Sequence, residues 1–327
     1  MEKDRKEIGK KKSFWQQFKD PTSSLIIGFL TIAIVIPVSV SIYPILPPLR
    51  FAALGNVRLE FYMLLIFLFI LFFILIKKFS KFFVIAFGVG LGGLSISTLV
   101  GFYSFTNLYY DYGTLYFSFT EGLGTIKFEE KSSEFAYKQR IINAVDYRNE
   151  IVKNKANAWA VVNFEEFKPT FPNLKILHCF SIFKEVRKRW NYVYDPKGEE
   201  YYSRTSVTLN QLEDDDKVKG DCDDYSILMA GLFTAVGGEV QLVRTEVTTG
   251  TKVVGHLYPE LKIGDVKDLE KIAYFIKNEL FIKESEDKPI FYYTDSKGQV
   301  WLNMDYNDYY PGGKYQSKIR KSVLKIE

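Results

Sequence analysis

The chain has 327 residues, more than one compact domain ordinarily needs, so two structural units are predicted. A formal net charge of +4 gives no electrostatic reason to expect a nucleic-acid partner. Up to about residue 105 long apolar runs dominate, whereas the remainder reads as a mixed globular domain.

Three apolar runs define residues 23–105 as a membrane domain: "SSLIIGFLTIAIVIPVSVSIYPILPP", "FYMLLIFLFILFFILI" and "FFVIAFGVGLGGLSISTLVGFYSF". A helix needs about 20 apolar residues to cross a hydrocarbon core, and no charge interrupts any of the three runs. The second is the shortest, and Lys77 and Lys78 can extend it by snorkelling. The first run is too long and starts too far into the chain for a cleaved signal peptide. The Lys-rich residues 1–22 and the "KKFSK" between runs two and three mark the cytoplasmic side. Three transmembrane helices with an inside N-terminus then leave everything after Phe105 extracytoplasmic, and the lipid bilayer is the first expected partner. "GVGLGG", inside the third run, reads as a helix-packing face around Gly88 and Gly92 rather than a nucleotide loop.

Residues 106–131 are expected to form a linker hairpin, "TLYFSF" and "TIKFEE" around "EGLG". The extracytoplasmic domain then occupies 132–327. Helical spacing of Ile141, Ile142, Val145, Ile151 and Val152 predicts helix up to about Phe167. "PNLKILHCFSIFKEVRKRW" predicts another amphipathic helix, followed by a turn at Asp-Pro-Lys-Gly. In "GDCDDYSILMAGLFTAVGG", Asp221 is an N-cap with Asp224 as the partner of a capping box, the apolar run is a buried helix, and Gly237 and Gly238 end it. Strands follow at "EVQLVRTEV" and "VVGHLYPEL", then a helix over 265–282, then a hairpin of "PIFYYTD" and "VWLNMDY". Helices first and a mainly antiparallel sheet afterwards give an α+β order. The basic tail "KYQSKIRKSVLKIE" reads as a solvated end.

A cysteine at a helix N-terminus is a specific placement, because the helix end stabilises a thiolate and first-turn N–H groups can bind an oxyanion. Cys222 holds that position, and a nucleophilic thiol also needs a base with an orienting group behind it. Of the two histidines, His178 precedes Cys179 on a helix and cannot face it, so both read as core or helix-surface residues. His256 lies mid-strand, on one face with Val254, Tyr258 and Glu260. It is read either as a base or as a hydrogen-bonded sheet histidine. Alternation puts Trp301, Asn303 and Asp305 on one face of a strand that could pair with that of His256. Cys222, His256 and Asp305 thus form a candidate nucleophile, base and orienter. A Cys179–Cys222 disulfide, which an extracytoplasmic compartment permits, stays open. No metal site is read, since the spacings lack C-x-x-C and H-x-x-x-H pairs, and "EDDD" at 213–216 reads as a solvated acidic loop.

"GDCDDYSILMAGLFTAVGGEVQLV", "GHLYPEL" and "WLNMDYN", with "RWNYVYDP" upstream, resemble the transglutaminase-like superfamily over about Phe183 to Tyr315. The resemblance implies a transglutaminase-like, papain-like α+β core with helices packed on an antiparallel sheet, and Cys222, His256 and Asp305 as catalytic residues. Asp308 is the fallback orienter, and Asn210 and Gln211 are upstream candidates for an oxyanion donor. It also implies a bacterial inner-membrane protein whose domain faces the periplasm or exterior, with no cofactor and a protein or peptide substrate. The expected function is a cysteine acyl-transfer enzyme, a peptidase-like or amidase-like hydrolase or a crosslinking transferase. The alternative is a catalytically silent binding or assembly module of the envelope.

Overall fold

A computed structural model of the chain describes residues 21–42, 59–120, 123–124, 126–131, 133–195 and 201–327. The basic N-terminus up to Asp20, the loop over 43–58 and the predicted turn at 196–198 lie outside the described residues. The chain divides into two compact units, Met1–Leu115 and Tyr116–Glu327.

In the first unit, α1 (Pro21–Ile42), α2 (Leu59–Lys78) and α3 (Ser80–Val100) are helices. Ile27, Leu30 and Ile76 form a small buried cluster against Ile34, Phe72, Phe73 and Phe83. Helix α3 buries no residue at all, although it is apolar throughout. Among the described residues it is the one helix long and apolar enough, by length and composition alone, to cross a membrane, and Leu25–Ile36 is a shorter apolar segment. The expected packing face at Gly88 and Gly92 has no neighbour, since nothing lies within 4 Å of where a Cβ would stand.

The expected hairpin over 106–131 is not formed. Phe105–Thr120 is helix α4, and the boundary between the units falls inside it. Ser104 accepts the N–H of Asn107 at 3.1 Å, as an N-cap does, and this start signal outweighs the β preference of the aromatic residues that follow. The short strand β1 (Glu129–Glu130) pairs in parallel with Ile319–Arg320 near the C-terminus instead of with 114–119.

The second unit builds a helical layer and then a sheet, as the α+β order predicts. Helices α5 (Lys138–Val145) and α6 (Glu150–Ala160) are separated at Asp146, whose φ of 23° breaks the run. Helix α7 (Leu174–Arg189) starts at the Asn173 cap, and β2 (Trp190–Tyr192) leaves it directly. After α8 (Thr205–Asn210), β3 (Val218–Gly220) pairs in parallel with β2 and leads into α9 (Cys222–Ala235). Tyr225, Ile227, Leu228, Met229, Ala230, Leu232 and Phe233 are all fully buried, so α9 is the centre of the unit. Close approach requires Gly231, where a Cβ would fall 2.3 Å from the Thr205 hydroxyl. Gly237, at φ +82°, ends the helix as expected.

Strands β4 (Val240–Thr249) and β5 (Lys252–Gly264) make a long hairpin. Helix α10 (Val266–Phe275) is inserted next, opened by a capping box at Asp265 and Asp268. Strands β6 (Tyr292–Thr294) and β7 (Val300–Asn303) follow, then β8 (Ile319–Arg320) and β9 (Ser322–Ile326). The five-stranded sheet has the order β6-β7-β5-β4-β9, with every neighbouring pair antiparallel. The basic tail is therefore no solvated end. It supplies the edge strand β9, and Arg320 is buried against Glu260 in a two-pronged ion pair of 2.6 and 3.0 Å.

Candidate active site

Cys222 opens α9 because Asp221 caps it. The Asp221 carboxylate accepts the N–H groups of Asp223 at 2.9 Å and Asp224 at 3.4 Å. Asp224 is itself buried, and its carboxylate accepts the Ser203 N–H at 2.9 Å. Burial raises its pKa to about 6, partly opposed by that N–H. Gln211 clamps β3 just upstream, bonding both the N–H and the carbonyl of Lys219. Its amide is thus committed to the backbone and does not serve as the expected oxyanion donor.

Two hydroxyls tie α9 to the strands that carry the other site residues. Ser226 Oγ lies 2.7 Å from the Cys222 carbonyl and 2.9 Å from that of Leu257, the neighbour of His256. Tyr225 donates its hydroxyl to the Met304 carbonyl at 3.1 Å, the residue before Asp305. The three sequence-predicted residues are thereby gathered at one end of α9, against β5 and the segment after β7.

His256 and Asp305 are both buried and meet at 2.8 Å, Nε2 to Oδ2. Glu260 stands opposite Asn303 in the β5–β7 register, so the strand of His256 does pair with that of Asn303, and Asp305 follows just beyond the end of β7. Asp305 is held on all sides. Its Oδ1 accepts the Tyr306 N–H at 2.8 Å, and its Oδ2 also accepts from Gln316 at 3.0 Å and Asn307 at 3.2 Å. The Asp305 oxygen faces His256 Nε2, and a proton on that nitrogen would leave Nδ1 with its lone pair. The Gln316 amide nitrogen lies 2.9 Å from His256 Nε2, beside the shared Asp305 oxygen. Asp308 takes no part, since it binds the Lys314 N–H at 2.8 Å.

The sulfur sits in a different environment from the one expected of a helix N-terminus. Burial pushes the Cys222 thiol well up, Asp223 adds to this, and Asp221 and Asp305 add less; the Leu257 N–H works in the opposite direction. Asp223 Oδ1 is 3.9 Å from the sulfur. Among the described residues no hydrogen bond joins Cys222 to His256, and the upward shift of the thiol favours its neutral form. Burial and carboxylate charge outweigh the helix end. Tyr306 packs edge-on to His256, with ring centres 5.7 Å apart, and lies 5.2 Å from Tyr192. These rings stand beside the sulfur, and burial pushes both phenols well up.

Cys179 is fully buried and its thiol is pushed up by that burial alone; both cysteines are free, with no disulfide between them. His178 and Cys179 stay on α7, away from the chemistry, as their positions predict. The acidic loop 213–216 is engaged with basic neighbours, Asp215 with Lys219 at 3.2 Å and Asp216 with Arg189 at 3.1 Å. Gln316 and Asn307 were missed by sequence reasoning. Asn307 lay two residues beyond Asp305 and was within reach of the motif; Gln316 carried no local signal. Compared with known proteins, the chain matches no family model, no curated protein and no solved structure.

Proposed function

We infer that the chain is a membrane-anchored cysteine acyl-transfer enzyme that hydrolyses an amide bond through Cys222, His256 and Asp305 on a transglutaminase-like core. The observation that carries this reading is the buried 2.8 Å pair of His256 and Asp305 beside the cysteine that opens the central helix. Asp305 fixes the imidazole with Nδ1 as its basic nitrogen. Because the resting thiol is neutral, His256 takes its proton as the sulfur attacks, rather than before. The C–S bond forms, the amide carbonyl becomes an oxyanion, and the imidazolium then gives its proton to the departing amine. Water, activated by the same nitrogen, releases the acid from the thioester.

Three membrane crossings fit the apolar composition of α1, α2 and α3, and an apolar helix that buries nothing within its own chain is what a lipid-facing segment requires. With the basic N-terminus inside, the second unit lies outside the cytoplasm. The resemblance to transglutaminase-like proteins adds a bacterial inner-membrane setting and an envelope protein or peptide as the substrate. A second reading, a silent binding or assembly module, is favoured by one observation, the neutral thiol that no hydrogen bond joins to His256.

p-Nitrophenyl acetate separates the two. The enzyme reading expects Cys222 to gain an acetyl group, seen in the intact mass, while p-nitrophenolate leaves and turns over. Cys222→Ala and His256→Ala abolish the turnover. A wild-type protein with no acetyl adduct and no turnover overturns the enzyme reading.

A further inference from the structure

Strand β5 is long, and its two ends have different neighbours. Residues 260–264 pair with β7, and the facing part of β4, residues 240–244, pairs with β9. From Thr245↔His256 to Thr249↔Lys252 neither strand has a further strand partner among the described residues, although the Thr245 and Glu246 side chains reach Ile319 and Lys321. This is a protruding ribbon with a bare edge, and His256 stands at its base.

The direction of the backbone groups along that edge follows from contacts already formed. In an antiparallel strand both polar groups of a residue point to one side, and successive residues alternate. Lys262 gives its N–H to Glu239, so even-numbered residues face β4. The Pro259 carbonyl accepts the Met304 N–H, on the β7 side. Leu257 points the same way: its carbonyl is bonded by Ser226, whose hydroxyl also lies 2.7 Å from the Cys222 carbonyl. Gly255 and Val253 continue this series. Both are exposed, Val253 by 63%, and nothing lies within 4 Å of a Cβ built on Gly255. The row of outward groups therefore runs from β7, past Leu257, to open backbone at Gly255 and Val253.

We propose that the Val253–Gly255 edge docks an extended peptide segment of the substrate, which adds to β5 as a strand and carries its scissile carbonyl to Cys222. This rests on the reading of Cys222 as a nucleophile. An unpaired edge offers donors and acceptors at strand spacing, so it recognises backbone, and alternate side chains of the guest point to either face. The occupant is fixed by continuity: the next residue with outward groups along the edge, Leu257, is tied through the Ser226 hydroxyl to the residue that carries the reactive sulfur. The substrate is therefore a peptide or an unfolded protein segment, rather than a small amide.

N-acetyl-trialanyl chloromethyl ketone tests this on the full-length protein. Cys222 is alkylated to completion, the C–S bond replacing C–Cl as chloride leaves with the thiol proton. Amide exchange at Val253 and Gly255 is then compared with protein alkylated by iodoacetamide. The tethered peptide is expected to slow both amides at least about tenfold, and the same peptide N-methylated on its backbone nitrogens to leave them unchanged. Gly255→Pro removes an outward N–H without touching the β4 ladder, and is expected to reduce the rate advantage of the peptidyl reagent over iodoacetamide by about fivefold. Equal exchange in the peptide and iodoacetamide adducts overturns the proposal. So does protection already present in unlabelled protein that grows with concentration, which assigns the edge to a second copy. If His256→Ala leaves iodoacetamide labelling of Cys222 unchanged, the nucleophile reading fails, yet the completed adduct still reports on the edge.

Discussion

The Ser226 hydroxyl bridges the carbonyl of Cys222, at 2.7 Å, and the carbonyl of Leu257, at 2.9 Å. One side chain thus fixes the helix that presents the thiol to the strand that presents the imidazole. Ser226→Ala leaves the buried Leu257 carbonyl without this donor, an expected loss of about 1–3 kcal/mol of stability. Urea unfolding measures that loss, and alkylation of Cys222 should also change rate because the Cys–His register loosens. An unchanged midpoint and unchanged rate mean that the bridge holds nothing.

Asp224 gives the fold a pH dependence of known sign. Its folded pKa is raised to about 6, well above the ordinary aspartate value of 3.8, chiefly by burial. A raised carboxyl pKa means that the neutral form is favoured on folding. The associated stability is present below the unfolded value and is lost as pH rises toward 6. Asp224→Asn keeps an acceptor for the Ser203 N–H and removes the charge. The variant is expected to lose less stability than the wild type between pH 4 and 7, as read by unfolding midpoints at each pH. Parallel profiles for the two proteins would contradict the assignment.

Glu260 and Arg320 form the most buried ion pair of the second unit, exposed by 0% and 2% at their side chains. Gln241 and Tyr315 also bond the carboxylate, at 2.6 and 3.0 Å. Arg320→Met strands a buried carboxylate and is expected to destabilise the unit by about 3–5 kcal/mol. Glu260→Gln combined with Arg320→Met should cost less than the sum of the two single changes, because neither charge is then left alone. Denaturant unfolding of the three variants checks both statements.

Much of this unit could be read from short-range pattern. The Asp221 cap, the uninterrupted apolar run of α9 and the paired glycines after it are local signals, and each matches the observed helix. Strand alternation groups His256 with Glu260 and Asp305 with Asn303, and the expected pairing of their strands is observed at Glu260 opposite Asn303. What was not legible depends on distant partners. Arg320 and Gln316 sit in a basic tail that looks solvated until Glu260 and Asp305 are brought to it across 60 and 11 residues. The helix at Phe105–Thr120 was hidden by aromatic residues whose strand preference a single serine cap overrides. The state of the thiol was hidden for a related reason. The helix end is visible in sequence, but burial of the sulfur is not.

The most direct test is the pH profile of Cys222 alkylation by iodoacetamide, measured on wild type, Asp223→Asn and His256→Ala. Asp223 raises the thiol pKa, so Asp223→Asn is expected to label faster at neutral pH, with its profile moved to lower pH. His256→Ala is expected to label more slowly, because the base that takes the thiol proton is gone. Labelling that is unchanged by His256→Ala at every pH would mean that the imidazole does not act on the sulfur, and the catalytic reading of Cys222, His256 and Asp305 would be wrong.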